Sequence, residues 1–262
     1  MQNILLTISY DGTDFCGWQR QDSPSGSKDS TQIVRTVQCE VENALEKMFR
    51  QKISIQGSGR TDSGVHAMGQ AANFFSPSEN IPEENYMRAL NGILPKDIRI
   101  MAAKKVDESF NARFSATSRS YRYFITDKTV SADKSRYVWN VHHKMNVENL
   151  NEMAAVLKGE TDCASFAAAG DASLSTFRYI DKAFFYKTED ETVVFQIEAN
   201  AFLWKMVRSI TGTLIQLDKN HKGRDDFEKI LLSCNRSKAG ITAPPEGLFL
   251  WEVKFDGIRR HI

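Results

Sequence analysis

The residues best suited to chemistry lie at 59–67, where the chain reads Gly-Arg-Thr-Asp-Ser-Gly-Val-His-Ala. Asp62 stands between Gly59 and Gly64, close to the cation of Arg60. Glycines allow backbone conformations that other residues avoid, and they let a large ligand come close. An aspartate at such a bend faces a ligand, and the arginine suits an anion. The same letters also describe a surface turn in which Asp62 bonds its own backbone, and the motif alone favours that turn.

A second group of reactive or binding residues follows at 110–124, where three arginines alternate with aromatic residues and hydroxyls. Arginines suit phosphates, aromatic rings suit unstacked bases, and hydroxyls suit backbone oxygens. The alternative is a strand with its aromatic residues in the core and its arginines in water. Tyr123 and Phe124 fit either interpretation. For Arg113, Arg119 and Tyr121, the combination with the first motif favours a function.

Two further segments contain candidate site residues. Arg208 lies near the start of a largely apolar helix, where a buried arginine beside an aspartate would keep that carboxylate ionised. Its alternative is to extend from the helix into water. Leu248 and Leu250 belong to an apolar strand and either wall a pocket or fill the core, with the core favoured.

Composition excludes several function classes. The 262 residues are 41% hydrophobic and 26% charged, which suits a globular protein with a real core, and the net charge of +1 indicates no overall basic character. Four scattered cysteines without a Cys-x-x-Cys pair favour reduced thiols in a cytosolic protein. No metal site, signal peptide or membrane span is expected.

The first half of the chain predicts the order β-α-β-β-α-β. A polar tract at 21–30, which is too poor in apolar residues to pack, is expected to be a mobile loop. Apolar periodicity predicts strands at 4–10, 53–56, 70–75 and 98–106, and helices at 31–49 and 82–90.

The second half repeats this order with an additional helix. Strands are predicted at 120–126, 179–187, 192–199 and 249–255, and helices at 146–157, 202–217 and 225–232. The pattern predicts an α+β protein of two tandem ferredoxin-like (RRM-like) βαββαβ halves, residues 1–107 and 108–262. Such halves commonly join antiparallel sheets and leave a central cleft.

Five segments in register resemble the TruA family of tRNA pseudouridine synthases. They cover nearly the whole chain and lie at 10–20, 59–66, 112–123, 200–208 and 244–250. The sequence departs from the family pattern in the long polar tract after Arg20, and at Cys163, where an aromatic residue is expected.

The resemblance implies the pseudouridine synthase fold and isomerisation of uridine to pseudouridine at positions 38, 39 and 40 of the tRNA anticodon stem-loop, without a cofactor. Asp62 would be the nucleophile at ribose C1′ or uracil C6, or would stabilise a glycal route. Arg208 would be its charge partner. Tyr121 would stack on the flipped base and is a candidate for the late proton transfer. Arg60 would hold the target nucleotide's backbone or fill the space its base leaves.

Further RNA contacts are expected from Trp18, which suits base stacking, and from Arg20, which suits a phosphate. Arg113, Arg119 and Leu248 complete the expected substrate-binding set. The resemblance also implies a cytoplasmic homodimer with tRNA as its partner and no association with a membrane.

Two other function classes are weighed against the enzyme. A non-catalytic RNA-binding protein on the same scaffold would gain nothing from Asp62, because a carboxylate repels phosphates. A glycoside hydrolase would need a second acid to protonate its leaving group. In the stretches at 59–67, 110–124, 199–208 and 240–250, Glu246 is the only acidic residue besides Asp62.

Overall fold

The computed structural model describes residues 1–21, 34–258 and 260. Its internal contacts divide the chain into two compact units, Met1–Ala116 and Thr117–Ile262. Both units combine helices with a β-sheet, so the predicted α+β class is confirmed. Apart from Gln21, the polar tract at 21–30 lies outside the described residues.

The described part of the first unit follows the predicted order of elements. These are β1 (Gln2–Tyr10), α1 (Val37–Phe49), β2 (Gln56–Gly57), β3 (His66–Ser76), α2 (Glu83–Ile93) and β4 (Ile98–Val106). The strands lie in the order β4-β1-β3-β2, and every neighbouring pair is antiparallel.

The second unit contains a similar arrangement with extra elements. They are β5 (Ser118–Thr126), β6 (Trp139–Asn140), α3 (Val147–Ala155), β7 (Gly159–Asp162), β8 (Phe177–Lys187), β9 (Val193–Ala199), α4 (Met206–Lys219), α5 (Arg224–Leu232) and β10 (Leu248–Lys254). The strands follow the order β10-β5-β9-β8-β7 and are antiparallel, while the short β6 pairs with β5 in parallel.

Strand β1 of the first unit buries nearly every second side chain. In the first unit Ile4, Leu6 and Ile8 of β1 are fully buried, as are Leu45 of α1 and Leu90 of α2. Successive side chains of a strand point to opposite faces, so a strand that amphipathic helices cover on one face buries every second side chain. The core of this unit therefore lies between the sheet and its helices.

Two predicted helices begin later than their apolar periodicity indicated. Helix α1 begins at Val37 because Thr36 is extended and its hydroxyl accepts a hydrogen bond from the Cys39 N–H. Helix α4 begins at Met206 because Lys205 adopts a left-handed conformation (φ 58°), which is incompatible with a right-handed helix. The predicted start at 202 was therefore wrong.

The strand predicted at 53–56 is also shorter than expected. Only Gln56 and Gly57 pair with β3, because the N–H of Ile55 donates to the Glu42 carboxylate instead of to a neighbouring strand. The edge strand β7, which is polar and four residues long, was not predicted.

Candidate active site

Asp62 lies in the loop that joins β2 to β3. Its backbone carbonyl accepts from the Val65 N–H at 3.2 Å, and Gly64 closes the turn with φ 77°. A positive φ of this size suits glycine because it has no Cβ. The Asp62 side chain is half-buried and that of Arg60 is exposed. The loop thus presents a carboxylate and a cation from a defined turn.

The segment 10–18, which we call the supporting segment, contacts this loop through its backbone. The Trp18 N–H donates to the Thr61 carbonyl at 3.2 Å, and the Gly64 N–H donates to the Phe15 carbonyl at 3.3 Å. The Ser63 hydroxyl donates to the same Phe15 carbonyl at 3.1 Å. Asp62 is therefore flanked on both sides by residues held to the supporting segment.

Side chains add to these backbone contacts. The hydroxyls of Tyr10 and Thr61 lie 2.8 Å apart, and both side chains are buried. The imidazole of His66, which is fully buried, accepts from the Gly12 N–H at Nδ1 over 3.0 Å. The Asp11 carboxylate lies 3.2 Å from the same nitrogen. Nδ1 of His66 therefore lies within reach of both an N–H donor and a carboxylate of the supporting segment.

Two glycines let the supporting segment come this close. A Cβ at Gly12 would lie 2.0 Å from the Val65 carbonyl oxygen, and one at Gly17 would lie 2.6 Å from that of Thr61. Gly17 also has φ 89°. No residue with a side chain fits either position without moving the loop, so these glycines follow from the close approach.

The structure places Trp18 inside the first unit, so the predicted stacking of a base on its ring does not fit. Only 1% of Trp18 is exposed, and its indole packs over Gly57 and lies 6.1 Å from the Tyr10 ring, centroid to centroid. Arg20 is exposed, and its Nη1 pairs with the Glu42 carboxylate at 2.9 Å. Its contact with a phosphate stays a prediction.

Arg113 lies at the end of the first unit with an exposed side chain. Its guanidinium lies 5.7 Å from the centroid of the Phe114 ring, and its backbone N–H donates to the Asn111 side chain at 2.9 Å. Phe114 is itself exposed. Arg113 and Phe114 are therefore both at the surface, and a contact of Arg113 with RNA stays a prediction.

In the second unit, side chains of β5 contact the segment at 200–202, which precedes α4. The half-buried Tyr121 packs edge-on against Phe202, with ring centroids 4.9 Å apart. Arg119 donates from Nη1 to the Asn200 carbonyl at 2.8 Å. These contacts place Asn200 and Phe202 beside the two predicted site residues of β5.

Arg208 lies in the first turn of α4 and makes two hydrogen bonds with the backbone of Ala243. Its Nε donates to the Ala243 carbonyl at 2.8 Å, while its own carbonyl accepts from the Ala243 N–H at 3.0 Å. Gly212, one turn later, permits this approach, because a Cβ there would lie 1.9 Å from the Ile241 carbonyl oxygen. The guanidinium therefore has a fixed orientation within this unit.

Sequence reasoning left the role of Tyr123 open, and the structure assigns it to the core. It is fully buried, and its hydroxyl donates to the Pro244 carbonyl. Burial raises the pKa of Tyr123 well above its usual value, Glu246 raises it further, and Arg208 opposes both. Leu248 lies opposite Tyr123 in the pairing of β10 with β5 and is also buried. A role for Leu248 in a substrate pocket stays a prediction.

The described residues contain no group of three or more His, Cys, Asp or Glu side chains that could hold a metal ion. Within those same residues no helix is long and apolar enough to cross a membrane. All four cysteines are unpaired. Cys163 is fully buried, and burial raises the pKa of its thiol to about 12.

The sequence matches the model of a protein family described as tRNA pseudouridine synthase over residues 6–115 and 153–256. The match includes the Asp62 loop and the segment that contains Arg208, whereas Tyr121 lies between the two matched ranges.

Bacterial proteins named tRNA pseudouridine synthase A are similar to this chain. The one from Treponema denticola is 52% identical over 97% of this chain and 93% of its own length. Those from Treponema pallidum and Brachyspira hyodysenteriae are 47% and 43% identical, over 92% and 97% of this chain and 84% and 99% of their own lengths. Among solved structures, one titled as a Cbf5-Nop10-Gar1 complex has a TM-score of 0.34 and 9% identity over 83% of this chain and 54% of its own, which is too distant to support a fold assignment.

Proposed function

The chain belongs to the family of tRNA pseudouridine synthases, and from that premise we propose that it isomerises uridine to pseudouridine at positions 38, 39 and 40 of the tRNA anticodon stem-loop. The observation that carries this proposal is the match over most of the chain, which includes both the Asp62 loop and Arg208. The same match favours an enzyme over a non-catalytic RNA-binding protein.

The reaction moves a glycosidic bond within one nucleotide. The bond from C1′ to N1 breaks, the uracil turns, and a bond from C1′ to C5 forms. C5 loses its proton and N1 gains one, so the product is an isomer and the reaction consumes no oxidant and no water. Asp62 acts as the nucleophile at C1′ or C6, or stabilises the glycal route. The fixed backbone around Asp62 suits this role, because a nucleophile must be held within reach of the reacting carbon.

The remaining site residues are assigned by their chemistry. Arg208 supplies the positive charge that favours the ionised carboxylate, and its bond to Ala243 orients the guanidinium. Tyr121 stacks on the flipped uracil and moves the late proton. Arg60, together with Arg20, Arg113 and Arg119, contacts the RNA backbone.

The strand orders support the proposed repeat of two ferredoxin-like halves. The order β4-β1-β3-β2 recurs as β10-β5-β9-β8, with the same β-α-β-β-α-β succession in each unit. In the second unit β6, β7 and α5 are additions to that pattern.

We propose that the protein is a homodimer. We also propose that it acts in the cytoplasm, where tRNA is found. One face of β5 and β10 carries rings in mutual contact, with Phe124 5.3 Å from Phe249 and 6.3 Å from Trp251 between centroids. All three rings are only half-buried. A second copy of the chain would cover this apolar surface.

Tritium release from tRNA that contains [5-³H]uridine tests the function, because the C5 hydrogen leaves only when the new bond forms. We expect release by the wild type, with pseudouridine mapped at positions 38–40, and a loss on the order of a thousandfold or more in kcat for Asp62→Asn. Asp127→Asn, a change at an exposed loop residue, serves as the control. Substantial turnover by Asp62→Asn would disprove the nucleophile assignment.

A further inference from the structure

The backbone around Trp204 is fixed on both sides. The Trp204 N–H donates to the Asp171 carboxylate, and the Trp204 carbonyl accepts from the Ala168 N–H at 3.0 Å. Upstream, the Asn200 N–H donates to the Tyr179 carbonyl at 3.1 Å. A backbone held in this way reduces the conformational freedom that ligand binding would have to remove.

The Trp204 side chain is nevertheless 46% exposed. Tryptophan is usually highly buried, and Trp18 in this chain shows the ordinary case. The Lys205 ammonium lies 4.6 Å from the centroid of the Trp204 ring. An exposed aromatic ring on a rigid backbone, next to a cation, is the usual construction of a platform on which an unpaired base stacks.

Lys205 is unfavourable for folding in two respects. It is left-handed (φ 58°, ψ 10°), which suits glycine and strains other residues. It also places a cation at the N-terminal end of α4, whose first turn contains no acidic residue, although that end of a helix favours negative charge. Stability alone therefore does not explain a lysine here, and residues held under such strain cluster at functional positions.

We propose that Trp204 and Lys205 form an RNA contact in which the indole stacks on an unpaired base and the ammonium binds the adjoining phosphate. This inference rests on the proposed function, because it takes tRNA as the ligand. Phe202, which contacts Tyr121, lies two residues before Trp204, and Arg208 lies four residues after it. The stacked base is therefore a neighbour of the target uridine.

Kinetics and fluorescence test the stacking separately. Base–aromatic stacking contributes about 1–3 kcal/mol by alanine substitution, so we expect Trp204→Ala to raise the KM for tRNA about tenfold with little change in kcat at saturation. Trp204→Phe keeps a smaller aromatic ring, so we expect it to raise the KM for tRNA less than Trp204→Ala does. Leu232→Ala, at a residue that is 73% exposed on α5, is the control and leaves KM unchanged. Titration with tRNA quenches tryptophan fluorescence in the wild type, and Trp204→Phe removes most of that signal.

Glycine substitutions at the two ends of α4 test Lys205. Lys205 and His221 are both left-handed non-glycine residues, with φ 58° and 55°. Lys205→Gly relieves the strain, so we expect a Tm that is not lowered together with weaker tRNA binding. His221→Gly leaves tRNA affinity unchanged. Lys205→Gln reduces the slope of log Kd against log salt by roughly 0.7–0.9, as expected for one lost phosphate contact.

The outcomes separate this inference from the proposed function. Unchanged KM and undiminished quenching in the Trp204 variants of an active enzyme would overturn the stacking contact and leave the function intact. Absence of tritium release by the wild type would overturn the function, while the fluorescence titration would still decide whether Trp204 binds tRNA.

Discussion

The hydroxyl of Tyr10, the last residue of β1, lies 2.8 Å from the hydroxyl of Thr61, the residue before Asp62. This contact joins the central strand of the first unit to the loop that presents the proposed nucleophile. Removing the Tyr10 hydroxyl would leave a buried Thr61 oxygen without this partner. The consequence for catalysis can be measured.

Tyr10→Phe should lower kcat several-fold and leave the KM for tRNA nearly unchanged, because it loosens Asp62 without removing an RNA contact. The lost hydrogen bond should also lower the free energy of unfolding by about 1–2 kcal/mol. Tritium release and urea denaturation measure the two effects. Tyr186→Phe, on β8, is the matched control. A rise in KM at constant kcat would show that Tyr10 acts on RNA binding instead.

Gly17→Ala should inactivate the enzyme by displacing the Asp62 loop. The new Cβ would meet the Thr61 carbonyl at 2.6 Å, and the backbone is left-handed at φ 89°. We expect a loss of about 2–3 kcal/mol in stability and a larger effect on kcat than on KM. Gly92→Ala, on α2, is the control, because a Cβ there meets no atom within 4 Å. Equal activity in the two variants would contradict the proposed tight contact.

Arg208→Lys should lose most activity although it keeps the positive charge. Lysine lacks the planar fork that lets Arg208 donate from Nε to the Ala243 carbonyl while directing its other nitrogens elsewhere. Arg208→Met should be at least as impaired. Arg224→Met, which removes an exposed arginine from α5, should retain full kcat. An active Arg208→Lys enzyme would show that charge alone suffices.

The buried Cys163 thiol should make stability fall in alkaline solution. Burial raises the pKa of Cys163 from 9.0 to about 12, a nearby Arg178 lowers it, and Asp162 raises it. Between these values the folded protein binds more protons than the unfolded chain, so the free energy of unfolding decreases as pH rises. The contribution is fully present below pH 9 and is lost as pH approaches about 12.

Urea denaturation at several pH values checks this. Cys163→Ala should be less stable than the wild type at neutral pH, because it leaves a cavity, and the difference should shrink in alkaline solution. A difference that stays constant from pH 7 to pH 11 would contradict the assignment. Exposed Cys16 should react readily with a thiol reagent while Cys163 stays protected.

Most elements of the fold could be predicted from apolar periodicity, because β1 buries nearly every second residue and α2 buries Tyr86 and Leu90, which are four residues apart. The failures have local causes that periodicity does not contain. The start of α4 depends on the left-handed Lys205, and β2 is shortened by the side chain of Glu42. Single side-chain and backbone conformations of this kind are set by the tertiary structure.

The candidate site could be predicted only in part, because some of its contacts are also set by the tertiary structure. The glycines flanking Asp62 were visible in the sequence, but the role of Gly12 and Gly17 depends on a contact across the fold. Trp18 was assigned to RNA because its type suits stacking, whereas its burial against Gly57 follows only from the arrangement of the first unit. Residue type shows what a side chain can bind and does not show which way it faces.

The supporting segment and the Asp62 loop are separated by more than forty residues, and their contacts require β1 to be paired with β3. The chain must lose the entropy of closing this long loop before the contacts between the two segments can stabilise it. The turn that contains Asp62 therefore cannot assemble early during folding. The amides of Trp18 and Gly64 should therefore exchange with solvent only when the whole first unit opens. A nascent or partly opened chain then has no competent carboxylate, and turnover itself reports completion of this unit.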